Sequence, residues 1–439
     1  MGQSAVLLAF EHFQAGRLEP AAELLRAFLA AVPFDPAANH LLGGIYYRQG
    51  KYGPAREHLG RACATPGATA EMFNNYGAAL KALGDVPGAV AAYRRALAVD
   101  PNYADALNNL GVIYRTQGQS SQAIEILRRA AALKPELAEA QKNLRTAYND
   151  VVPAWHFAMI NDRPRNDAYA TAIVRAASGK RVLDIGTGTG LLAMMAAKAG
   201  AASVTTCEAV PVIAERARAI IARNGFQDRI TVLARHSTDI AVGRELTAPA
   251  ELLITETFSS DLLSEGVLAT VEHAHRQLLV PGAAVIPRAA GAKAYLIGGA
   301  EIEGMLFAGS SHGFDLSPFN DFAPPLLAAS VNNVPHDVLS EDVELLAFDL
   351  FAREFPMGNR VVDVTVTKDG VAAGLVQWIH LDLDGQVHYE NRPSSEPHAE
   401  SHWTQIIHRF PKPVRVEKGA ILRIGIRHDR EHLLIDLLP

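Results

Sequence analysis

The chain is poor in cysteine: among 439 residues, Cys63 and Cys207 stand far apart and without metal-ligand spacing. A disulfide framework and a thiolate metal site are therefore not expected, and a reducing cytoplasm fits. No apolar run reaches the roughly 18 residues that a membrane-spanning helix needs, so no membrane association is expected. The opening MGQSAVLLAF lacks the basic start and the apolar length of a secretory leader. Its Met-Gly start is followed by Val6, where myristoylation asks for Ser or Thr. Positive charge is also not in excess. Lys and Arg number 41 against 47 Asp and Glu, a net charge of −6, so a nucleic-acid partner is not expected. Hydrophobic residues at 49% and charged residues at 20% suit soluble globular domains, and the length allows two or three.

What is present begins with a repeat. Gly16, Gly50, Gly84 and Gly118 recur every 34 residues, as do Ala21, Ala55, Ala89 and Ala123. Gly43, Gly77 and Gly111 keep the same step, and so do Pro33, Gly67, Pro101 and Pro135. Four series in phase predict units at 2–35, 36–69, 70–103 and 104–137. Each unit is a helix, a turn at glycine and a second helix. One such unit cannot bury its apolar face, so the units must stack. The segment resembles the tetratricopeptide repeat, an all-α solenoid, with a capping helix over 138–149. Asn74-Asn75 and Asn108-Asn109 also recur at this period. One reading has them satisfying helix backbone or solvent. The other makes Asn75 and Asn109 a ladder that binds the backbone of an extended peptide.

Near Val151-Val152-Pro153 the period ends. From Lys180 onward, strand-like runs (RVLDI, SVTTCEA, ITVLA, ELLITE) alternate with helical stretches, which predicts an α/β domain on a parallel sheet. After Pro287 the runs AKAYLIGG, RVVDVTVT, GLVQWIHLDL and ILRIGIRH predict antiparallel strands. Three domains are thus expected: repeats over 1–150, a Rossmann-like domain over 151–287 and a β-rich, barrel-like domain over 288–439.

Asp184, Gly186, Gly188 and Gly190 lie in a turn between a predicted strand and a helix. A lone glycine-rich turn is weak evidence. Here Asp184 stands where a dinucleotide fingerprint usually has an apolar residue, and the next strand ends at Glu208, placed to take ribose hydroxyls. The pattern resembles class I methyltransferases, and S-adenosyl-L-methionine is the expected cofactor; a nicotinamide dinucleotide is the alternative. Ser237 and Thr238 follow the third strand and are candidates to read the adenine edge.

Glu256 ends the fourth strand, and Glu265 follows nine residues later. Two glutamates at that distance are ordinarily solvated charge. At the C-terminal edge of a parallel sheet they can instead grip a guanidinium, which is planar, charged and forked. Holding it in line with a sulfonium methyl would supply much of the rate, and a carboxylate or a His–Asp pair would receive the departing proton.

The spacing of this pair resembles the protein arginine methyltransferase family. WHFAMINDRPRN from Trp155, Leu278–Pro287 and Ser401-His402-Trp403 agree with it, with Ser401 where the family has Thr. The resemblance covers 151–439 and is closest to the branch with N-terminal tetratricopeptide repeats and its tandem-module relatives. This chain holds one module, which implies a second copy. The resemblance assigns Glu256 and Glu265 to the acceptor arginine, Arg165 to the cofactor carboxylate and His402 to a pair with Asp162. It sets Met159 beside the acceptor nitrogen and Trp403 near the arginine stem. The family's usual tyrosine pair before the first helix has no match around Tyr148. Residues 301–340 are the candidate for the family's dimerisation arm, which would make a homodimer. No metal is implied. Two alternatives stand beside a protein arginine N-methyltransferase: a methyltransferase of a small guanidino or amino compound, and a catalytically weak repeat-scaffold adaptor.

Overall fold

In a computed structural model the chain is described over residues 2–152, 155–393 and 403–439. It divides into two compact units, Met1–Pro153 and Ala154–Pro439.

The first unit is helical. Helices α1 (Gly2–Gln14) and α2 (Leu18–Ala31), α3 (Pro36–Arg48) and α4 (Tyr52–Cys63), α5 (Ala70–Ala82) and α6 (Val86–Val99), and α7 (Ala104–Thr116) and α8 (Ser120–Leu133) form hairpins, and α9 (Ala138–Val151) follows. Gly16, Gly50, Gly84 and Gly118 turn each hairpin with φ between 74° and 80°, which a side chain would resist. The second glycine series serves packing. A Cβ on Gly43, Gly77 or Gly111 would lie 2.6, 2.7 or 2.6 Å from Leu59, Tyr93 or Leu127. Those three side chains are themselves 34 residues apart, so each glycine seats the large residue of its partner helix. In the first hairpin, Ala9 and Leu25 hold the matching positions, both fully buried. The solenoid read from the period is the solenoid present.

The second unit opens with α10 (Trp155–Asn161) and α11 (Arg163–Ala176), separated at Asp162. Strands β1 (Arg181–Ile185), β2 (Ser203–Cys207), β3 (Ile230–Leu233), β4 (Ala250–Thr255) and β5 (Leu279–Ile286) form a parallel sheet in the order β3-β2-β1-β4-β5. Helices α12 (Leu191–Lys198), α13 (Pro211–Arg223) and α14 (Val267–Gln277) connect them. The winding reverses at β1, between β2 and β4, and such a reversal opens a crevice at the carboxyl ends of the strands.

The remainder is antiparallel. Strands β6 (Ala289–Gly298), β7 (Ser310–Ser311), β8 (Phe314–Asp315), β9 (Leu326–Ala329), β10 (Asp337–Val338), β11 (Val343–Asp349), β12 (Gly358–Thr365), β13 (Gly370–Asp382), β14 (His388–Glu390), β15 (Gln405–Val416), β16 (Ile421–His428) and β17 (Leu433–Leu437) follow one another, with α15 (Ala300–Leu306) after β6. The main sheet runs β10-β6-β13-β15-β9, with β11 on β6 and β14 on β13, and a second sheet is β12-β16-β17. One apolar core, from Tyr169 through Leu253 and Leu296 to Leu433, runs through both the α/β and the β-rich parts, and a second lies around Tyr295, Trp378 and Ile407. Glu272 of α14 ties them further. Its buried carboxylate accepts from the Phe355 N–H at 2.7 Å and pairs with Arg430 at 2.6 Å.

Candidate active site

The carboxyl ends of four parallel strands supply the site. After β1 the glycine turn is held by the Gly186 and Thr187 N–H groups, both donating to the Cys207 carbonyl at 3.1 Å. Gly190, at φ 81°, packs against α13: a Cβ there would lie 2.9 Å from Ile221. Glu208, following β2, accepts from the Gly188 N–H at 3.1 Å and the Val210 N–H at 3.0 Å. Turn and carboxylate are therefore one assembly. After β3, Ser237 is buried, and exposed Thr238 bonds through its Oγ1 to His236 Nδ1 at 2.8 Å.

Asp184 is fully buried at the end of β1. The Thr206 hydroxyl donates to its Oδ2 at 2.7 Å and is itself 2.6 Å from Thr187 Oγ1. Burial pushes the Asp184 carboxyl up to about 7, with the Thr206 hydrogen bond opposing the shift. Among the described residues, Asp184 Oδ1 and Arg165 Nε are buried without a hydrogen-bond partner. A carboxylate oxygen and a guanidinium N–H left unsatisfied suit a ligand that carries an ammonium and a carboxylate. The methionine moiety of S-adenosylmethionine carries both, so these residues fit that cofactor.

Arg165 is placed by its helix. Asp162 caps α11, its Oδ1 accepting from the Arg165 N–H at 3.0 Å. The Arg165 guanidinium lies over the Tyr169 ring at 5.1 Å and donates to Asn166 at 2.8 Å. It also meets the Glu256 carboxylate at 3.0 Å, both side chains being nearly excluded from water. The Tyr169 hydroxyl donates to the Thr255 carbonyl at 3.1 Å, just before Glu256. The resemblance gave Arg165 to the cofactor alone; the fold also joins it to Glu256.

Glu265 lies exposed at the end of the loop after β4, next to Gly266 at φ 71°. Asp261 organises that loop, a role the sequence did not signal. It accepts from the Leu263 and Ser264 N–H groups at 3.2 and 3.1 Å and from the Ser264 hydroxyl at 2.8 Å, and bonds Ser259. Burial acts to raise its carboxyl, yet these bonds bring it below the ordinary value. Trp403 supports the loop from the β-rich part, its indole N–H donating to the Phe258 carbonyl at 2.8 Å. It is 4% exposed and packs against Tyr389 at 5.6 Å. The ring is buried, its one polar atom is satisfied by a backbone carbonyl, and it braces the loop that follows Glu256. Met159 on α10 is half-buried. His402 lies outside the described residues, and so does its pairing with Asp162. Asp162 Oδ2 accepts from the Tyr389 hydroxyl at 2.8 Å, a partner 227 positions away that no motif announced.

The asparagines of the repeats bond one another, and Asn75 also lines a groove of the solenoid. Asn109 donates to Asn74 at 3.0 Å, Asn143 donates to Asn108 at 2.9 Å, and Asn75 pairs with His40 at 2.9 Å. Each bond spans 35 residues, one repeat plus one position. Asn75 and Asn109 thus each bond a neighbouring repeat through the side-chain amide, Asn109 by satisfying the buried Asn74.

Comparison with known proteins agrees with both halves of the chain. Tetratricopeptide-repeat families match residues 7–69, 77–118 and 104–137, and the Ribosomal protein L11 methyltransferase family matches residues 171–268. An Arginine N(omega)-methyltransferase of Streptomyces achromogenes subsp. streptozoticus is 38% identical over 277 residues, 63% of this chain and 76% of that protein. The chain belongs to the arginine N-methyltransferase family. The family's methyl donor is S-adenosylmethionine. Protein arginine N-methyltransferase 7 of Danio rerio is 30% identical over 316 residues, 64% of this chain, and the chain spans 45% of its length. The Drosophila melanogaster protein of that name is spanned over 47%, so these relatives are about twice as long as the part matched. Among solved structures, the Trypanosoma brucei PRMT1 enzyme-prozyme complex with AdoHcy covers 64% of this chain at TM-score 0.56 and 24% identity, with 89% of that chain covered. Arabidopsis thaliana Protein Arginine Methyltransferase 10 covers 64% at TM-score 0.53 and 23% identity, with 90% of that chain covered. They share the Rossmann-like and β-rich architecture of this arginine N-methyltransferase-family chain.

Proposed function

We propose that this chain methylates a guanidino nitrogen of arginine in protein substrates that its repeats recruit. One observation carries the reading: Glu256, just past the end of β4, already holds a guanidinium, that of Arg165, at 3.0 Å. A carboxylate that accepts one guanidinium in a water-poor setting suits a second. When bound, S-adenosylmethionine supplies an electrophilic methyl on its sulfonium. Glu256, joined by Glu265, orients the acceptor nitrogen toward that methyl and restrains its rotation. The methylated guanidinium must shed one proton; Glu256, or His402 with Asp162, receives it. Asp184, Glu208 and Arg165 hold the cofactor, Ser237 and Thr238 meet its adenine, and Met159 limits room beside the acceptor nitrogen.

The repeats support recruitment through a groove of about 990 Å³. Leu7, Phe10, Phe13, Phe28, Val32 and Met72 line it, with the carboxylates of Asp35 and Glu71 beside them. An apolar segment flanked by arginine suits that lining. For assembly as a homodimer the support lies in the excursion before β9, where Phe314, Phe319 and Phe322 are each about 70–80% exposed. The two cysteines, free and buried, support a reducing cytoplasm.

A second reading, methylation of arginine itself or a small guanidino compound, is favoured by the Streptomyces relative, whose name gives arginine without the word protein. Incubation with labelled S-adenosylmethionine and either arginine-rich protein or free arginine separates the two, with mass spectrometry of the product. Methylarginine within the protein is the expected result. Label on free arginine alone selects the second reading, and label only on lysine or carboxyl groups overturns both.

A further inference from the structure

The acceptor carboxylate is held from a direction that no part of the methyltransferase motifs supplies. Tyr389 sits on β14, buried, with its ring against Trp403 at 5.6 Å. Its hydroxyl donates to Asp162 Oδ2 at 2.8 Å, and the other Asp162 oxygen accepts from the Arg165 N–H at 3.0 Å. Arg165 in turn holds Glu256 at 3.0 Å. Four residues from three separated stretches thus form one line, from the β-rich part through the start of α11 to the end of β4.

The physical demand on Asp162 explains why such a donor is needed. Asp162 is 3% exposed, and a carboxylate that far from water needs several donors. One oxygen is directed at the helix start, so its orientation sets where Arg165 begins. A single cap bond leaves the carboxyl plane free to turn about its bond to the chain. The Tyr389 donor on the second oxygen opposes that turning. Only the β-rich part supplies Tyr389, so the β-rich part takes a share in aiming a guanidinium and, through it, Glu256. Trp403, donating to the Phe258 carbonyl at 2.8 Å, braces the loop on the other side of Glu256 from the same β-rich part.

We propose that Tyr389 is a positioning residue for methyl transfer, aligning the acceptor carboxylate Glu256 through Asp162 and Arg165. The inference rests on the reading of Glu256 as the arginine-binding carboxylate. It assigns Tyr389 no contact with substrate or cofactor.

The test is a mutant cycle on the full chain: wild type, Tyr389→Phe, Asp162→Asn and the double variant, assayed with an arginine-containing peptide. Phenylalanine keeps the ring against Trp403 and removes only the hydroxyl. We expect Tyr389→Phe to lower kcat about tenfold, a loss of roughly 1.4 kcal/mol in transition-state stabilisation. Affinity for S-adenosylhomocysteine, by calorimetry, should stay within threefold, and Tm within about 2 °C. Because Tyr389 acts through Asp162, the double variant should match Asp162→Asn within twofold instead of compounding the losses. Two results overturn the proposal: Tyr389→Phe with kcat within twofold of wild type, or losses that multiply in the double variant. If Tyr389→Phe lowers Tm by much more than this, the split between binding and turnover decides: a purely structural loss weakens S-adenosylhomocysteine binding along with kcat, and such a parallel loss also overturns the proposal. Failure of the functional reading is distinguishable, because the wild-type chain would then leave the peptide's arginine unmethylated while binding S-adenosylhomocysteine.

Discussion

Arg165 and Glu256 form an ion pair 3.0 Å long, with side chains 4% and 8% exposed. Removing one member leaves the other charged and dry, which ordinarily costs about 3–5 kcal/mol. Arg165→Ala is expected to lose stability of that order in urea unfolding of the cofactor-free protein. Glu256→Gln, which keeps the shape, is expected to lower kcat with an arginine peptide by about 100-fold or more, measured at saturating S-adenosylmethionine.

Asp184 would give the proposed cofactor site a pH dependence. Its carboxyl, pushed up to about 7 by burial, is largely protonated at pH 6 and ionised at pH 8. Affinity for S-adenosylhomocysteine should therefore rise from pH 6 to pH 8, as the carboxylate becomes available to an ammonium, and Asp184→Asn should flatten that rise. Stability runs the other way. The folded value lies above the unfolded one, so this group's contribution is full below about pH 4 and is lost as pH rises through about 7. Asp184→Asn should therefore gain on wild type, in Tm of the free protein, as pH rises from 6 to 8.

Adjacent glycines in α3 should respond oppositely to the same change. A Cβ on Gly43 would lie 2.6 Å from Leu59, whereas one on Gly44 meets nothing within 4 Å. Gly43→Ala overpacks the hairpin and should cost about 1–3 kcal/mol. Gly44→Ala stiffens a helix interior and should add about 0.5–1 kcal/mol. Thermal melts of the two variants check the contrast.

Glu272 joins α14 to the β-rich part by accepting from the Phe355 N–H and pairing with Arg430. Glu272→Ala strands a buried N–H as well as an arginine. A loss of about 2–4 kcal/mol is expected, read in denaturant unfolding.

The groove of the repeats should matter for large acceptors only. Phe10→Glu, at a half-exposed lining residue, is expected to raise KM for an arginine-rich protein about tenfold, equivalent to roughly 1.4 kcal/mol, while leaving KM for a short arginine peptide unchanged. Equal KM values with both acceptors would remove the groove from recruitment.

Much of the fold is legible along the chain, and the reason is locality. Each repeat meets its neighbours at a fixed offset, so Gly43, Gly77 and Gly111 keep step with Leu59, Tyr93 and Leu127. The apolar runs that become β1 to β4 and the glycine turn after β1 are likewise short-range signals. Asn75 and Asn109 show where such reading stops. Their period was visible, but periodicity alone does not distinguish an amide offered to a ligand from one bonded to the next repeat. The partners sit 35 residues away, one position out of phase with the repeat.

The sequence by itself determined the repeat solenoid, the Rossmann-like order of strands and helices, and which carboxylates end those strands. Residue type and spacing suffice where the physical demand is local: a positive φ, an apolar face, a turn that approaches a ligand. Only the tertiary structure decided that Arg165 meets Glu256, that Trp403 is spent inside the core, and that Tyr389 reaches Asp162 across 227 positions. Those relations join groups from distant stretches. Burial makes each polar atom find a partner, and which partner comes within reach is set by how the β-rich part packs on the parallel sheet.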